Sequence, residues 1–473
     1  MIKDFFIKTV KQHFIFEPTE GQVNTLSQIG NFLFSRNMDS LFLLKGYAGT
    51  GKSTLIGALV KTMDDFKQKT VLLAPTGRAA KVFSGYANHP TFTIHKKIYR
   101  QQRFSHEPSG FAPMDNLYKD TLFIVDEASM ISNSAIESVM FGSGRLLDDL
   151  IQYVYSGENC RLMLIGDTAQ LPPVGQEDSP ALQSNVLEGF GLEVYESIMT
   201  QIVRQADGSG ILFNATQLRK ALNENKINVF PKIKITGFSD IVNVSGEELI
   251  DEITASYDKD GIENTIVISR SNKRSNIYNN GIRNRILYRE EELSSGDMLM
   301  ITKNNYYWAE KIEQLDFLAN GELIEVLRVR KTTELYGFRF CDVLVKHPDY
   351  GIELELKILL DTLHSEVSGL TKEKSDELFF NILEDYSDVT TKAGKMKKMK
   401  ADPFYNAVQV KYGYAITCHK AQGGEWKNVF LDIDYVTEEH LGVNFYRWLY
   451  TAITRASQKL YLVNLSENFL ESK

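Results

Sequence analysis

The chain has 473 residues, of which 43% are hydrophobic and 24% charged, and its formal net charge of −8 means that any nucleic-acid binding needs a locally basic cleft. This length is too great for one hydrophobic core, and the composition is that of a globular protein, so we expect several domains. No apolar run of about 18 residues occurs, and polar residues from Lys3 to Gln12 interrupt the amino terminus; this excludes a membrane span or a secretory signal and predicts a cytoplasmic protein.

A glycine-rich turn follows the strand predicted over Leu41–Leu44 and precedes helical apolar spacing from Ser53. The turn has the spacing G-x-x-x-x-G-K-[ST], in which backbone N–H groups converge on phosphate oxygens at a helix amino terminus. Lys52 is expected to reach the β and γ phosphates of ATP, and Ser53 to ligate Mg²⁺. Because a strand and a helix flank it, nucleotide binding is preferred to a turn without ligand. The predicted contacts are Gly46, Gly49, Thr50, Gly51, Lys52, Ser53 and Thr54.

Two further apolar strands, predicted over Leu122–Val125 and Leu162–Ile165, end in polar residues. Asp126 follows the first strand as the expected Mg²⁺ ligand, and Glu127 follows it as the base that orients the attacking water. Gln170 follows the second strand, where it is within reach of a γ phosphate. From that segment alone, however, an ordinary loop is the preferred interpretation.

Eight motifs occur in a fixed order along the chain: GYAGTGKS, APTGRAAK, TIHK, VDEASM, GDTAQLPPVG, IVRQ, AITCHKAQGGEW and YTAITRA. The series resembles that of superfamily 1 DNA helicases, and within them the RecD-like and Dda-like branch. It runs from about Gln22 to Arg455, which is nearly the whole chain. The resemblance implies an α/β fold of two RecA-like parallel-sheet domains, with ATP in the cleft between them and single-stranded DNA across their top.

The resemblance also implies roles for individual residues. Gln22 would contact the adenine and Glu425 the ribose, Gln170 would sense the γ phosphate, and Arg204 and Arg455 would act as arginine fingers that neutralise charge developing in the transition state. Hydroxyls, imidazoles and backbone amides suit contacts to phosphate that do not read bases. The implied DNA contacts are Pro75, Thr76, Thr93, His95, Thr417, His419 and Lys420.

Several of these roles have ordinary structural alternatives. Gln22 with Thr19 also forms a capping-box pattern, and both roles are compatible. Arg204 lies in a polar segment where an exposed arginine is the default, and His95 and His419 are also interpretable as structural histidines. Gly424 departs from the family pattern, in which a small hydroxyl residue is more usual, and leaves one DNA or nucleotide contact in doubt.

Two insertions are expected. The domain limits are 1–95 and 121–200 for the first RecA-like domain, 96–120 for a hairpin, 201–330 and 403–473 for the second RecA-like domain, and 331–402 for an SH3-like β insertion. The hairpin resembles a pin that splits the duplex, with Phe104 or Phe111 at its tip; a plain surface loop is an equal alternative. The basic run Lys392–Lys400 is either a solvated, mobile loop or an additional DNA contact.

The sequence therefore predicts an ATP- and Mg²⁺-dependent DNA helicase that moves along single-stranded DNA, with the 5′-to-3′ direction inherited from the branch it resembles. Its expected partners are single-stranded DNA, junctions of single- and double-stranded DNA, and single-stranded-DNA-binding or replication and repair proteins; no membrane is expected. The alternatives are an RNA helicase of the same superfamily and a non-motor, nucleotide-gated nucleic-acid-binding subunit.

Overall fold

The computed structural model describes residues 2–471 except 15, 102–110, 135–141, 203–207, 311, 313, 314, 316, 349 and 350. None of the helices in this described part has the length and apolarity that a membrane crossing needs.

The strands are, in chain order, β1 (Ser40–Gly46), β2 (Lys69–Ala74), β3 (Thr91–Thr93), β4 (Tyr99–Gln101), β5 (Phe111–Pro113), β6 (Thr121–Val125), β7 (Arg161–Gly166), β8 (Glu193–Met199), β9 (Ile241–Val244), β10 (Thr265–Ser269), β11 (Met298–Ile301), β12 (Leu323–Leu335), β13 (Phe338–His347), β14 (Ile352–Leu359), β15 (Val408–Tyr412), β16 (Ala415–Thr417), β17 (Trp426–Asp432) and β18 (Ala456–Val463). The α-helices are α1 (Ile2–Gln12), α2 (Glu20–Leu33), α3 (Lys52–Asp65), α4 (Gly77–Ala87), α5 (Ile94–Ile98), α6 (Leu146–Tyr155), α7 (Ser184–Glu188), α8 (Gly210–Asn223), α9 (Leu249–Asp260), α10 (Asn272–Arg285), α11 (Lys372–Glu384), α12 (Lys392–Lys400), α13 (Cys418–Ala421) and α14 (Val443–Ile453).

The first sheet is parallel throughout, in the order β3-β2-β6-β7-β1-β8. Helices α1 to α4 pack on one face and α5 to α7 on the other, so the central strands β1, β6 and β7 are buried along almost their whole length, whereas the edge strand β8 has exposed residues. Because the strands are parallel, the carboxyl ends of β1, β6 and β7 lie at one edge. That edge receives the glycine-rich turn, the acidic pair and the loop of Gln170.

The second sheet is also parallel, in the order β16-β10-β17-β18-β9. Helices α8, α13 and α14 cover one face, and the side chains of α9 and α10 pack with the barrel strands on the other. Helix α14 is buried along most of its length and faces the first sheet. The predicted fold class, with two parallel-sheet α/β halves, is confirmed.

A closed barrel of β11, β12, β13, β14 and β15 corresponds to the expected β insertion. Its pairs are antiparallel except for β14 with β15. The predicted limits 331–402 begin inside β12 and end before β15. The observed barrel is larger, since β11 and the first half of β12 pair within it and not with the second parallel sheet. The four domain limits as given above stay a prediction.

The basic run within the insertion forms helix α12, capped by the Thr391 side chain and anchored by the buried Met399. The hairpin insertion has the antiparallel pair β4 and β5. Its intervening segment, with the candidate tip residue Phe104, lies outside the described residues.

Candidate active site in the interdomain cleft

The turn between β1 and α3 has the geometry of a phosphate-binding loop. Gly49 and Gly51 have φ angles of +76° and +82°, which side-chain-bearing residues rarely adopt, so glycine is required at both. The Thr50 hydroxyl donates a 2.8 Å hydrogen bond to the Tyr47 carbonyl and fixes the turn. The first amides of α3 therefore point into the cleft, with the exposed Ser53 and Thr54 beside them.

Lys52 lies over the same loop. Its Nζ donates to the carbonyl oxygens of Gly46, at 2.6 Å, and Tyr47, at 3.0 Å. A Cβ at Gly46 would stand 3.0 Å from Lys52 Cγ and Cδ, so the missing side chain makes the space in which the lysine lies. A cationic side chain at a glycine-rich turn that leads into a helix amino terminus fits a triphosphate.

The acidic pair follows β6 at the same edge. Asp126 Oδ1 accepts from the Glu127 amide at 2.8 Å, and its Oδ2 accepts from the Tyr86 hydroxyl. Burial and the Asp126 charge raise the pKa of Tyr86 well above its ordinary value, so this hydroxyl remains a donor. Asp126 is therefore oriented by two donors, as a metal ligand needs.

Burial raises the pKa of Glu127 from 4.5 to about 7. Arg455 and Lys52 act in the opposite direction and lower the pKa, whereas Asp126 and Asp167 raise it further. The raised pKa lies near neutral pH, and a pKa in this range suits a carboxylate that acts as a general base at neutral pH. Because Arg455 belongs to the second half of the chain, the site draws groups from both parallel sheets.

Gln170 and Asp167 lie in the loop after β7, and both are buried. Within the described residues, Gln170 Oε1 has no hydrogen-bond partner. A buried amide oxygen without a partner is costly, so a water or ligand proton at this point fits the site. Asp167 accepts from the Ala169 amide at 2.9 Å and from the Tyr450 hydroxyl at 2.6 Å.

The guanidinium of Arg455 is held by the second half of the chain. Its nitrogens donate to the carbonyl oxygens of Thr451, at 3.0 Å, and Gly424, at 3.1 Å, and to the Thr454 hydroxyl at 3.3 Å. Glu425, the predicted ribose contact, is exposed beside Gly424. The other predicted finger, Arg204, lies outside the described residues.

Within the quoted motifs, three side chains of the second half also form hydrogen bonds directly to the first half. Tyr450 accepts from the Ala48 amide at 2.9 Å, Thr451 Oγ1 accepts from the Leu171 amide at 2.9 Å, and Gln422 Nε2 donates to the Leu171 carbonyl at 2.8 Å. Sequence reasoning missed all three. Each lies inside a quoted motif, but nothing in the motif names a partner about 250 to 400 residues away.

Gln22 forms the capping box that the sequence offered as an alternative. Its Oε1 accepts from the Thr19 amide at 2.9 Å, and the Thr19 hydroxyl accepts from the Gln22 amide at 3.3 Å. The side chain is therefore already fixed at the start of α2, and its adenine contact stays a prediction.

The expected DNA contacts lie at the carboxyl ends of β2, β3 and β16 and in the short helices α5 and α13 that follow β3 and β16. Thr76 and Thr93 cap α4 and α5, each through its hydroxyl at 3.2 Å from an amide. An ideal Cβ at Gly423 would lie 3.5 Å from Thr76 Oγ1, so the loops of the two sheets meet. The remaining members differ in exposure: Pro75 and Thr417 are half-buried, His419 is exposed, and Lys420 bonds to Asn320.

The environment of His95 favours its interpretation as a structural histidine. Burial lowers its pKa from 6.5 to about 4, so the imidazole is neutral at neutral pH. Its ring lies 5.7 Å from that of Tyr99. His95 is therefore expected to contact phosphate only as a neutral hydrogen-bonding group.

The structure explains why position 424 is a glycine. A Cβ there would lie 2.7 Å from Arg78 Nε and 2.7 Å from the Trp426 ring, and Arg78 stacks over that ring at 3.8 Å. The glycine admits this cation–π pair, which joins α4 of the first half to β17 of the second.

Phe111 contacts the barrel region, since its ring lies 4.5 Å from that of Tyr306. Phe111 pairs with Gln101 at the end of the β4–β5 ladder that borders residues 102–110. Across the described ranges, His, Cys, Asp and Glu form no group of three that could hold a metal ion. A cation bound through Ser53 and Asp126 would take its other ligands from nucleotide and water.

Comparisons with known proteins agree with the motif series. A family model described as an AAA domain matches residues 32–231, and one described as a UvrD-like helicase C-terminal domain matches 412–463. The ATP-dependent RecD2 DNA helicase of Deinococcus radiodurans is 25% identical over 94% of this chain and 48% of its own length. The ATP-dependent DNA helicase dda of Enterobacteria phage T4 is 22% identical over 87% of this chain and 92% of its own.

Two uncharacterised proteins and one solved structure are also similar to this chain. An uncharacterised protein of Acanthamoeba polyphaga mimivirus is 22% identical over 90% of this chain and 96% of its own. This chain spans 37% of an uncharacterised protein of Methanocaldococcus jannaschii, which is 26% identical. A solved Pif1 helicase from Bacteroides, in complex with ADP-AlF3 and single-stranded DNA, aligns with 97% of this chain and 95% of its own, at 14% identity and a TM-score of 0.45.

Proposed function

We propose that this chain, which belongs to the RecD-like and Dda-like branch of superfamily 1, is an ATP-dependent DNA helicase that moves along single-stranded DNA. One observation carries the proposal: helix α14 of the second half is hydrogen-bonded to the loops of the first sheet, through Tyr450 to the Ala48 amide and through Thr451 to the Leu171 amide. Arg455 follows the end of this helix, and its charge lowers the pKa of Glu127 in the first half. A phosphate loop that needs only to hold nucleotide has no use for a cation from a second domain. A motor needs such a cation, because ATP hydrolysis then depends on how the two domains are positioned relative to each other.

The chain's own groups divide the work of hydrolysis. The loop amides and Lys52 would hold the β and γ phosphates, and Glu127 would orient the attacking water and take its proton. Arg455 would neutralise charge on the transferring phosphoryl group. Gln170 would bind at the γ phosphate, where its buried amide oxygen has no protein partner in the described chain.

Ser53 and Asp126 fit Mg²⁺, since both are oxygen donors and Asp126 is oriented by Tyr86. When bound, the ion would neutralise phosphate charge. Three more roles are proposed from the family pattern: adenine contact by Gln22, ribose contact by Glu425 and a second finger at Arg204.

The proposed DNA track follows the line where the loops of the two sheets meet, from Thr76 and Thr93 to Thr417 and Lys420. Motion from 5′ to 3′ and duplex splitting by the hairpin, with Phe104 or Phe111, are proposed on the same family pattern. Single-stranded-DNA-binding or replication and repair proteins are the proposed protein partners, and the cytoplasm is the proposed location.

The first test is ATP turnover with and without oligonucleotides. Wild-type turnover should rise with single-stranded DNA and rise less with RNA of the same sequence. Lys52→Ala should keep its folded structure and lose this turnover, because the β and γ phosphates lose their cation. Normal turnover in that variant would remove the phosphate assignment.

Unwinding of duplexes with a 5′ or a 3′ tail tests motor activity and direction together. We expect strand separation only with the 5′ tail. Greater stimulation by RNA would favour an RNA helicase, and ATPase activity that no nucleic acid changes would favour the nucleotide-gated binding subunit.

A further inference from the structure

Tyr450 lies where the phosphate loop, the loop after β7 and helix α14 come together. Its side chain is 1% exposed. The hydroxyl donates to Asp167 Oδ2 at 2.6 Å and accepts from the Ala48 amide at 2.9 Å. A single oxygen therefore joins two loops of the first sheet to a helix of the second.

The chemistry of this contact needs a hydroxyl. Burial and the Asp167 charge raise the pKa of Tyr450 well above its ordinary value, so the group remains protonated and donates to the carboxylate. Hydrogen bonds to a charged partner are roughly twice as strong as neutral ones. Removing the oxygen would also leave the Ala48 amide without this acceptor.

The same helix turn positions the catalytic arginine. Thr451, the next residue, accepts from the Leu171 amide through its hydroxyl and from Arg455 Nε through its carbonyl. Tyr450 and Thr451 thus fix the carboxyl end of α14 against the first sheet, and Arg455 follows two residues after that end. A shift of α14 would move the guanidinium away from Glu127.

We infer that Tyr450 is a positioning residue for ATP hydrolysis, whose hydroxyl ties the phosphate loop and Asp167 to helix α14 and so sets where Arg455 stands opposite Glu127. The inference rests on the proposed function. It separates binding from turnover. The phosphate loop keeps its own hydrogen bonds from Thr50 and Lys52 when this hydroxyl is removed, whereas the placement of the arginine loses a direct support.

The test compares Tyr450→Phe with Tyr446→Phe. Tyr446 is one turn earlier on α14, is also 1% exposed, and donates its hydroxyl to the Val229 carbonyl at 2.8 Å within the second half of the chain. Each variant removes one buried, bonded hydroxyl, but of the two only the Tyr450 hydroxyl bonds to the first sheet.

For Tyr450→Phe we expect kcat of the DNA-stimulated ATPase to fall by about 10- to 100-fold, the range expected when a hydrogen bond to a charged group is removed, with KM for ATP changed less than about twofold. Tyr446→Phe should stay within about twofold of wild type in both constants. Thr451→Val, which removes the neighbouring acceptor, should lower kcat in the same direction, and it replaces Tyr450→Phe if that variant does not fold.

Wild-type kcat in Tyr450→Phe would overturn the inference, as would an equal loss in Tyr446→Phe or a rise in KM alone. Failure of the proposed function looks different. In that case wild-type turnover would not respond to DNA, or Lys52→Ala would keep it. A DNA-stimulated wild type, an inactive Lys52→Ala and a fully active Tyr450→Phe would reject the positioning role alone.

Discussion

Glu127→Gln should make the stability of the protein less dependent on pH. The wild-type carboxyl has its pKa raised from 4.5 to about 7, chiefly by burial, so the folded state holds its proton more tightly than the unfolded state does. Between these two values the folded state binds more protons, and stability falls as pH rises. One pKa unit corresponds to about 1.4 kcal/mol, so ionised Glu127 costs about 3 kcal/mol at pH 8.

The glutamine keeps the shape and avoids this cost. The stability difference between variant and wild type should grow by about 2–3 kcal/mol between pH 5 and pH 8. For a domain of about 150–250 residues, the size expected for the first half of the chain, 1 kcal/mol shifts the melting temperature by about 2–4 °C, so the gap in the melting temperature of that domain should widen by roughly 5–10 °C. Thermal melts of the nucleotide-free protein at several pH values measure it, with Glu247→Gln, an exposed site, as the control. A gap that stays constant with pH, or that Glu247→Gln reproduces, would refute the raised pKa.

Two further predictions concern the contact between the halves and the basic helix. Gly424→Ser should destabilise the protein by about 1–3 kcal/mol, because the added side chain overpacks against Arg78 and Trp426. Adding Arg78→Ala should recover part of the lost melting temperature. An unchanged melting temperature in the single variant would contradict the packing argument. Replacing Lys392, Lys397 and Lys398 of α12 by alanine should reduce the slope of log affinity against log salt for forked DNA by about 0.7–0.9 for each DNA phosphate that the helix no longer neutralises. The matched control replaces the exposed Lys220, Lys226 and Lys259, and equal slopes for the two triple variants would identify α12 as an ordinary solvated surface.

The first sheet and its loop were predictable because their signals are local. Apolar runs such as Leu41–Leu44 end at the residues with the proposed catalytic roles, and parallel strands bring those ends to one edge. The spacing from Gly46 to Ser53 needs no distant partner. Asp126 and Glu127 follow from the same rule, since β6 lies in the same sheet with the same direction.

The limits of the barrel were harder to predict from the sequence, because strand pairing, and not the local β propensity, decides to which sheet a strand belongs. The run over β11 reads like any largely buried strand, and nothing local says that its partners are β12 and β15. Contacts across the cleft are harder still. Tyr450 and Asp167 are 283 positions apart, so their hydrogen bond exists only once both sheets are placed.

Gly424 shows how close the nucleotide site lies to the proposed DNA track. Its carbonyl accepts from Arg455 at 3.1 Å, on the side where hydrolysis would occur. Its missing Cβ admits Arg78, which lies in the first turn of α4 just after the proposed DNA contact Thr76. One residue therefore contacts Arg455, the proposed arginine finger, and lies against the helix that follows the proposed DNA contact Thr76. With Arg78 stacked on Trp426, position 424 has no room for a side chain, which is a structural reason for glycine where the family pattern predicts a small hydroxyl residue.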